Sequence, residues 1–351
     1  MLIDVLIVGQ GLAGSLLACE LIQQDQRVMV IDNGTMNASQ VAAGLINPVT
    51  GQRLVKQAGL EYLLPTALTC YEQLTSRLKQ QLFKPLPMLR ILKNQREQQS
   101  AQKRLQQLDY RDFLSVDQSA TDSMTAPFGV LLQTQTGYLN TNALLAKIRD
   151  FLIEHSSYQQ AIFDYDNLGL LPSLNWRGIQ PKHLVFCEGH QALQNPWFGK
   201  LPFQLAKGEI LHCHSQGIQQ QHIVNYGNWL IPNGDNQFKL GASFESGKVD
   251  VQATEQAKQT LLQSLSRVLP DVQPVTVLTQ MVGIRPTTLD KQPLIGSHPH
   301  YANVHIFNGF GAKGSLLIPW YARQFAKCLL RKASLPVNAD IQRYYATHFA
   351  S

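Results

Sequence analysis

The feature of this chain that most constrains its fold is an apolar strand followed at once by a glycine-rich turn and a helix. Val5 to Val8 are continuously apolar and rich in β-branched residues, which is typical of a strand buried on both faces of a parallel sheet. Helical apolar spacing follows over 15–24, and a second strand over 27–31 ends on Asp32. The turn between them is a G-x-G-x-x-G pattern formed by Gly9, Gly11 and Gly14. The N-terminus therefore predicts a βαβ unit.

In that context each of the three glycines has its own physical role. Gly9 permits the tight turn, Gly11 lets the backbone approach a pyrophosphate, and Gly14 lets the helix pack on the strand. The helix N-terminus offers free N–H groups and a positive dipole end to phosphates. Asp32, eighteen residues after Gly14, is placed to accept hydrogen bonds from ribose hydroxyls. We predict a dinucleotide site here, with a purely structural glycine turn as the alternative.

The rest of the chain alternates helical and strand patterns. Helical periods are predicted over 59–107, broken at two prolines, and over 142–153, 254–269 and 315–331. Strand patterns are predicted over 128–139, 161–163, 183–187, 210–214, 229–231, 238–243 and 304–307. We therefore predict an α/β fold in which a Rossmann-type domain is interleaved with an α+β substrate domain built on an antiparallel sheet. The predicted ranges are 1–75, 142–205 and 281–351 for the first domain, and 76–141 and 206–280 for the second.

Composition excludes several classes of protein. With 351 residues, 44% hydrophobic and 15% charged, the chain is long enough for a large buried core. Its N-terminal apolar stretch is interrupted by Asp4 and stops at Gly9, and no stretch approaches the roughly 20 apolar residues of a spanning helix. We expect no membrane insertion and a cytoplasmic location. The net charge of +6 comes from dispersed basic residues, which favours an anionic small substrate and makes nucleic acid an unlikely partner.

Two histidine pairs invite a metal interpretation that we do not adopt. His212 and His214 lie two residues apart on a predicted strand, and His298 and His300 flank a proline. Neither pair has an obvious third ligand, so no metal site is predicted.

Further segments make the chain recognisable. Residues 41–48, 206–211, 283–296 and 308–314, together with the N-terminal motif, resemble the D-amino-acid oxidase and glycine oxidase superfamily of FAD-dependent enzymes (the DAO superfamily). The resemblance implies a Rossmann-type FAD-binding domain with a noncovalent or covalent FAD. Because no Cys or His stands at a position expected for a covalent flavin link, we predict a dissociable FAD. It places the adenosine on Leu12, Ala13, Asp32 and Asn33 and the isoalloxazine near residues 43–45.

The motif and the resemblance together indicate a larger set of cofactor-binding residues. In the superfamily the C-terminal glycine-rich turn faces the flavin pyrimidine end, and the backbone near Leu168 contacts the adenine. The full set is Gly9, Gly11, Leu12, Ala13, Gly14, Asp32, Asn33, Ser39, Ala43, Gly44, Leu45, Leu168, Gly189, Gly309, Phe310, Gly311, Ala312, Lys313, Gly314, Ser315 and Leu316.

Three residues are predicted to be catalytic. The resemblance implies that Arg285 binds a substrate carboxylate, a task suited to a forked, permanently charged guanidinium; the alternative is an ion pair with Asp290. Trp229 stands where relatives often have a tyrosine that helps hold the carboxylate, which points to a bulkier or differently oriented substrate. Lys313 is predicted to stabilise reduced flavin or to meet an anionic substrate tail, the alternative being a solvated lysine. Several relatives have a second arginine at the position of Ala312.

We therefore expect an FAD-dependent oxidoreductase that oxidises the C–N bond of a small amine or amino acid by hydride transfer to flavin, with dioxygen or another molecule as electron acceptor. One alternative is an enzyme like the oxidase domain that trims carboxymethylaminomethyl groups from tRNA wobble uridine, since the region of Ala38 and Ser39 and the turn over 309–314 also resemble that domain. Another is an FAD-binding protein without turnover, which retention of Arg285 disfavours.

Overall fold

The computed structural model describes residues 1–116, 124–218 and 221–349. The predicted domain ranges 76–141, 206–280 and 281–351 each include a few residues that lie outside the described ones. The helices are α1 (Leu12–Ile22), α2 (Ala38–Val41), α3 (Leu60–Leu78), α4 (Gln95–Leu105), α5 (Thr141–Glu154), α6 (Glu255–Val268), α7 (Gly314–Leu329) and α8 (Tyr345–His348).

The strands are numbered in chain order as well. They are β1 (Leu2–Val8), β2 (Val28–Asp32), β3 (Leu45–Ile46), β4 (Val49–Thr50), β5 (Val55–Lys56), β6 (Phe83–Pro85), β7 (Met88–Ile91), β8 (Leu114–Val116), β9 (Val130–Gln133), β10 (Gly137–Leu139), β11 (Tyr158–Gln160), β12 (Leu168–Gly169), β13 (Asn175–Trp176), β14 (Gln180–Phe186), β15 (Phe203–His214), β16 (Ile223–Asn225), β17 (Trp229–Gly234), β18 (Gln237–Gly241), β19 (Glu245–Ser246), β20 (Thr276–Thr288), β21 (Leu294–Ser297) and β22 (Val304–Asn308).

The N-terminal motif lies in a six-stranded sheet with the order β11-β2-β1-β14-β22-β21. All neighbours pair in parallel except β21, which is antiparallel to β22. Side chains alternate between the two faces of β1, so that Val5 and Ile7 pack with α1, α3, α5 and α7 on one side. Leu6 and Val8 pack on the other side in a cluster that includes the side chains of Phe163 and Trp176. Burial on both faces explains the continuous apolar strand pattern.

Several predicted elements are corrected in their bounds. Helix α1 begins at Leu12 rather than at residue 15, because Gly11 has extended backbone angles and serves as its N-cap. The strand predicted over 161–163 is wrong: β11 ends at Gln160, and the backbone beyond Ala161 leaves the sheet edge. The helical period over 59–107 holds only for α3 and α4, with β6 and β7 between them.

A second, antiparallel-rich sheet runs in the order β19-β15-β18-β17-β16-β7-β9-β8, with β20 paired along β15. One face is covered by α6, whose Leu261 and Leu265 pack against Leu211 and Leu240 of the sheet. The opposite face carries Gly208, Ile210 and Trp229 and is directed toward the glycine-rich turn. A smaller sheet, β3-β10-β6, closes the space beside it.

The α/β fold class is confirmed: a Rossmann-type sheet is interleaved with a predominantly antiparallel sheet. Strands of the Rossmann-type sheet come from three separated parts of the chain, 2–32, 158–186 and 294–308. Strand β20 runs through the predicted boundary at residue 281, so the domain limits themselves stay a prediction. In the described parts of the chain, no helix has the length and apolar character needed to cross a membrane.

Candidate active site

A cavity of about 760 Å³ lies between the carboxyl ends of the parallel strands and the open face of the antiparallel-rich sheet. Carboxyl ends of parallel strands are the usual place for ligands in such folds. The cavity brings together most of the predicted site: Gly9, Gly11, Leu12, Ala13, Asp32, Asn33, Ser39, Ala43, Gly44, Leu45, Gly189, Trp229, Arg285, Phe310, Gly311, Ala312, Lys313, Gly314, Ser315 and Leu316. Gly14, Leu168 and Gly309 do not line it.

Two glycines of the N-terminal turn, Gly9 and Gly14, are packed too closely for a side chain. A Cβ on Gly9 would lie 2.5 Å from the carbonyl oxygen of Cys187, and the φ of Gly9 is +102°. A Cβ on Gly14 would lie 1.9 Å from the carbonyl oxygen of Gly9. Gly14 therefore lies outside the cavity because its role is to let α1 pack against the turn, as the motif predicts.

Asp32 at the end of β2 fixes the shape of the turn with both carboxylate oxygens. Its Oδ2 accepts a hydrogen bond of 2.7 Å from the backbone N–H of Gln10, and its Oδ1 accepts one of 2.8 Å from that of Gly34. Arg149 lies 3.9 Å from Oδ1 and donates to the side chain of Gln10 at 2.7 Å. Each carboxylate oxygen has a second acceptor site, and the residue lines the cavity, so it is placed to bind ribose hydroxyls.

Two helices begin at the cavity. The first turns of α1 and α7 contain no acidic side chain, and neither N-cap residue caps its helix with a side chain. The backbone N–H of Leu12 donates to Ser39 Oγ at 3.0 Å, which also ties the start of α1 to α2. The remaining first-turn N–H groups and the positive ends of both helix dipoles favour a negatively charged ligand.

The segment over 43–45 and the C-terminal turn form opposite parts of the wall. Gly44 has a φ of +70°, and a Cβ there would lie 2.0 Å from the Leu139 carbonyl oxygen. In the C-terminal turn, Asn308 Nδ2 donates to the carbonyl oxygen of Gly189 at 2.9 Å, joining the ends of β14 and β22. Gly309 does not line the cavity. It packs against Thr288, since a Cβ on Gly309 would be 2.8 Å from Thr288 Cγ2.

The structure places Leu168 away from the cavity and puts other residues in the expected adenine region. Leu168 belongs to the short β12–β13 hairpin and packs against the cluster containing Trp176. The cavity is lined instead by residues 161–163, which leave the sheet after β11, and by Glu188. Residues 161–163 and Glu188 each come shortly after a parallel strand, and this position in the sequence is the signal that identifies them.

Glu188 is an unusual neighbour for this end of the cavity. Its Oε1 accepts a hydrogen bond of 2.7 Å from the Tyr165 hydroxyl, and its Oε2 accepts one of 2.8 Å from Asn195 Nδ2. Burial raises the pKa of Glu188 to about 7, while these two hydrogen bonds act in the opposite direction. The carboxyl group is therefore partly protonated near neutral pH.

Arg285 lies at the other end of the cavity on β20. Both terminal nitrogens are 3.4 Å from the carbonyl oxygen of Ser243, and burial alone lowers the pKa of the guanidinium. The alternative pairing with Asp290 is not formed, because Asp290 accepts hydrogen bonds from Arg343 at 2.9 Å and Tyr344 at 2.7 Å. Among the described residues that line the cavity, the only carboxylates are Asp32 and Glu188. The fork of Arg285 is therefore available to an anion.

Trp229 and Lys313 line the same cavity as Arg285. The Trp229 indole lies across Gly241, where a Cβ would be 2.7 Å from Trp229 Cζ2. Lys313 Nζ donates to Gln57 Oε1 at 2.7 Å and lies 3.3 Å from Thr50 Oγ1, so its ammonium is held rather than freely solvated. Burial and, to a lesser degree, the charge of Lys291 lower the pKa of Lys313.

The residues present fit FAD. The cavity combines a glycine cradle that a Cβ would fill, two helix N-termini for a pyrophosphate and an acidic residue for a ribose. In the described portion of the chain, no three His, Cys, Asp or Glu side chains are grouped so that they could hold a metal ion.

Solved structures share this fold. Glycine oxidase from Geobacillus kaustophilus superimposes with a TM-score of 0.80 at 20% identity, over 95% of this chain and 96% of that one. Iminodiacetate oxidase from Chelativorans sp. gives a TM-score of 0.80 at 19% identity, over 97% of this chain and 98% of that one. L-α-glycerophosphate oxidase from Mycoplasma pneumoniae with FAD bound gives 0.71 at 16% identity, over 96% and 97%.

Sequence comparison extends the match. The tRNA 5-methylaminomethyl-2-thiouridine biosynthesis bifunctional protein MnmC of Marinobacter nauticus is 23% identical over 92% of this chain, but this chain spans only about half of its length, 54%. The glycine oxidase of Geobacillus kaustophilus is 26% identical over 33% of this chain and 30% of its own. The family model for FAD-dependent oxidoreductases of the DAO type matches residues 4–328. FAD is therefore the cofactor, and the chain belongs to the DAO family of FAD-dependent oxidoreductases.

Proposed function

We propose that this oxidoreductase oxidises the C–N bond of a small amine or amino acid whose carboxylate is bound by Arg285. The observation that carries the proposal is a guanidinium in the cavity that has no carboxylate partner among the described residues. A buried arginine in this state favours a bidentate anionic ligand. Glycine, iminodiacetate and carboxymethylaminomethyl groups all contain nitrogen bonded to a CH₂–COO⁻ unit. The first two are substrates in the names of the similar solved structures, and the third belongs to the oxidase domain that the sequence also resembles.

Bound FAD would supply the acceptor for one hydride, which carries the two electrons of the oxidation. The chain supplies orientation: Arg285 holds the carboxylate, and the Trp229 side chain limits how the rest of the substrate lies. The absence of a side chain at Gly208 leaves room for the Arg285 guanidinium along the sheet. We further propose that the ammonium of Lys313 stabilises negative charge on the reduced cofactor. The imine product hydrolyses in water, releasing the amine and a carbonyl acid.

The experiment is product identification. The purified protein is incubated with glycine, sarcosine, iminodiacetate, proline and common D-amino acids, and carbonyl products are trapped as hydrazones. Formation of glyoxylate from glycine, sarcosine or iminodiacetate supports the proposal. Formaldehyde without glyoxylate from sarcosine would show that the oxidised carbon is the methyl group and would exclude oxidation of the carbon next to the carboxylate. A protein that binds FAD but oxidises no member of the panel would support the alternative of an FAD-binding protein without turnover.

A second candidate is oxidation of a carboxymethylaminomethyl group on tRNA. It is favoured by the match to the Marinobacter protein over 92% of this chain and by the exposed Lys93, whose Nζ would lie 2.6 Å from a Cβ on cavity-lining Gly227. A tRNA substrate needs several phosphate contacts, so binding would fall by roughly 10³ or more between about 50 and 200 mM salt if six or more phosphates are neutralised. A small amino acid at a half-buried arginine would show only a modest decrease.

A further inference from the structure

One carboxyl group in the cavity wall lies beside the glycine turn and has no place in the predicted FAD motif. Glu188 comes two residues after the end of β14 and lines the cavity. A Cβ on Gly9 would lie 3.4 Å from the backbone nitrogen of Glu188. Since the glycine turn is the part of the motif that admits a pyrophosphate, Glu188 adjoins the place where the cofactor carries its negative charge.

Two hydrogen bonds fix the Glu188 carboxyl group in this position. The Tyr165 hydroxyl donates to Oε1 at 2.7 Å, and Asn195 Nδ2 donates to Oε2 at 2.8 Å. Asn195 is itself held, because its Oδ1 accepts the backbone N–H groups of Trp197 and Phe198 at 2.9 and 3.0 Å. The carboxyl group is therefore tied to the wall by donors from two different segments of the chain.

The described part of the cavity wall offers this carboxyl group no basic partner. Lysine and arginine occur among the described lining residues only at Lys313 and Arg285. Arg285 lies at the other end of the cavity, and the ammonium of Lys313 donates to Gln57 Oε1 at 2.7 Å. Burial lowers the pKa of His190, the histidine of the wall, so that its ring is neutral near pH 7.

The titratable groups that face Glu188 from its neighbours supply no positive charge either. They are the Tyr165 hydroxyl and the Cys187 thiol, and burial raises the pKa of both, so both are neutral. Burial also raises the pKa of Glu188 itself, to about 7. A negatively charged ligand placed beside the carboxyl group disfavours its ionised form further, because like charges repel.

We propose that Glu188 takes up a proton from solvent when FAD binds and faces the pyrophosphate end of the cofactor as a neutral carboxylic acid. A protonated carboxyl group has an O–H donor. Protonation therefore removes a repulsive charge and adds a donor beside the N–H groups at the start of α1. The inference concerns the cofactor alone, so it does not depend on which amine is oxidised.

The dependence of FAD affinity on pH tests this proposal. FAD-loaded protein is diluted at pH values from 6 to 8.5, and the Kd is obtained from the fluorescence of released FAD. We expect the Kd to rise by about tenfold or more over this range, because binding that takes up a proton weakens as the free protein loses that proton. In Glu188→Gln the Kd should change by less than about twofold, since an amide does not titrate.

Gln is a suitable neutral replacement at residue 188. Its amide can accept from Asn195 and donate to the Tyr165 hydroxyl, so we expect Glu188→Gln to bind FAD at pH 6 about as tightly as wild type does. His190→Gln is the control, because it removes the histidine of the wall and should retain the pH dependence of wild type. The same pH dependence in wild type and Glu188→Gln would assign the proton to another group and overturn the proposal.

Infrared spectra of the wild-type protein provide a measurement that needs no variant. At pH 8 the FAD-loaded protein should show the C=O stretch of a protonated carboxyl group, and the apoprotein should show little of it. Absence of this band from the FAD-loaded protein overturns the proposal, as does a wild-type Kd that stays constant from pH 6 to 8.5. Should Glu188→Gln fail to fold, the presence or absence of the band decides.

Discussion

The guanidinium of Arg285 lies flat against the backbone of Gly208, so that a Cβ on Gly208 would be 2.1 Å from Arg285 Nη2 and 2.4 Å from Cζ. The two residues are on adjacent strands, β20 and β15, which pair along their whole length. The absence of a side chain at residue 208 is therefore what allows the arginine to lie along the sheet.

Gly208→Ala should displace Arg285 without touching the FAD site. We expect KM for the amine substrate to rise by about tenfold or more, since a side chain that moves by 1 Å at a binding fork loses its geometry. FAD content should stay at the wild-type level. Gly169→Ala is the matched control, because a Cβ there would meet nothing closer than 3.6 Å. Unchanged KM in Gly208→Ala would show that the guanidinium is not positioned by this contact.

Arg285→Met should raise KM by roughly 100-fold or more, since two charge-assisted hydrogen bonds are each worth about 1.5 to 3 kcal/mol. Arg285→Lys should recover only part of the loss, because an ammonium lacks the fork. Steady-state kinetics with the best amine substrate measure both effects. Arg343→Met, which removes the Asp290 partner on the surface, serves as the control. Wild-type kinetics in Arg285→Met would remove this residue from the site.

Asp32→Ala should weaken FAD binding by about tenfold to a hundredfold. The change removes a ribose acceptor and the two hydrogen bonds that hold the turn at Gln10 and Gly34. Fluorescence recovery on titrating apoprotein with FAD gives the Kd. Asp4→Ala, at the opposite end of the sheet, removes an ion pair with Arg27 and should affect stability but not FAD affinity. Equal loss of affinity in both variants would argue against a specific role for Asp32.

Much of this arrangement could be predicted because the decisive signals are local. The order of strand, glycine turn, helix and acidic residue predicts the FAD cradle, and the residues around Arg285 carry the family resemblance. The environment of Glu188 and the position of Leu168 could not be predicted in this way. Both depend on how the backbone leaves the sheet after β14 and β11. The environment of Glu188 also depends on contacts with Tyr165, on another segment of the chain, and with Asn195 in the turn that follows. The closeness of Gly208 to Arg285 likewise depends on strand register.

Glu188→Gln should change how stability of the apoprotein depends on pH. The pKa of Glu188 is raised from its ordinary value of 4.5 to about 7. The folded chain therefore keeps a proton that the unfolded chain releases between these pH values, and stability falls as pH rises through this window. The variant should gain in Tm relative to wild type between pH 5 and pH 7.5. Parallel Tm profiles for the two proteins would contradict the raised pKa.

Lys313→Met should lower the midpoint reduction potential of bound FAD. Loss of one positive charge worth about 1 to 4 kcal/mol near the reduced cofactor corresponds to a decrease of roughly 20 to 90 mV for a two-electron couple. Photoreduction against a reference dye measures the potential. Lys332→Met changes an exposed lysine beyond α7 and should have no effect. An unchanged potential in Lys313→Met would show that the ammonium only holds the side chains of Gln57 and Thr50 and does not stabilise the reduced cofactor.

Anaerobic stopped-flow reduction of the bound flavin tests whether an amine whose carboxylate is bound at Arg285 delivers a hydride to FAD from the carbon next to its nitrogen. Each amine is paired with the hydroxy acid that differs only in replacing nitrogen by oxygen, glycine with glycolate for example, and L-α-glycerophosphate is included because a related fold is an oxidase of that compound. We expect a glycine-type amine to bleach the flavin at a rate that saturates with substrate. In Arg285→Met, we expect bleaching only at far higher concentrations of the amine. Bleaching by glycolate or glycerophosphate but by none of the amines would contradict it.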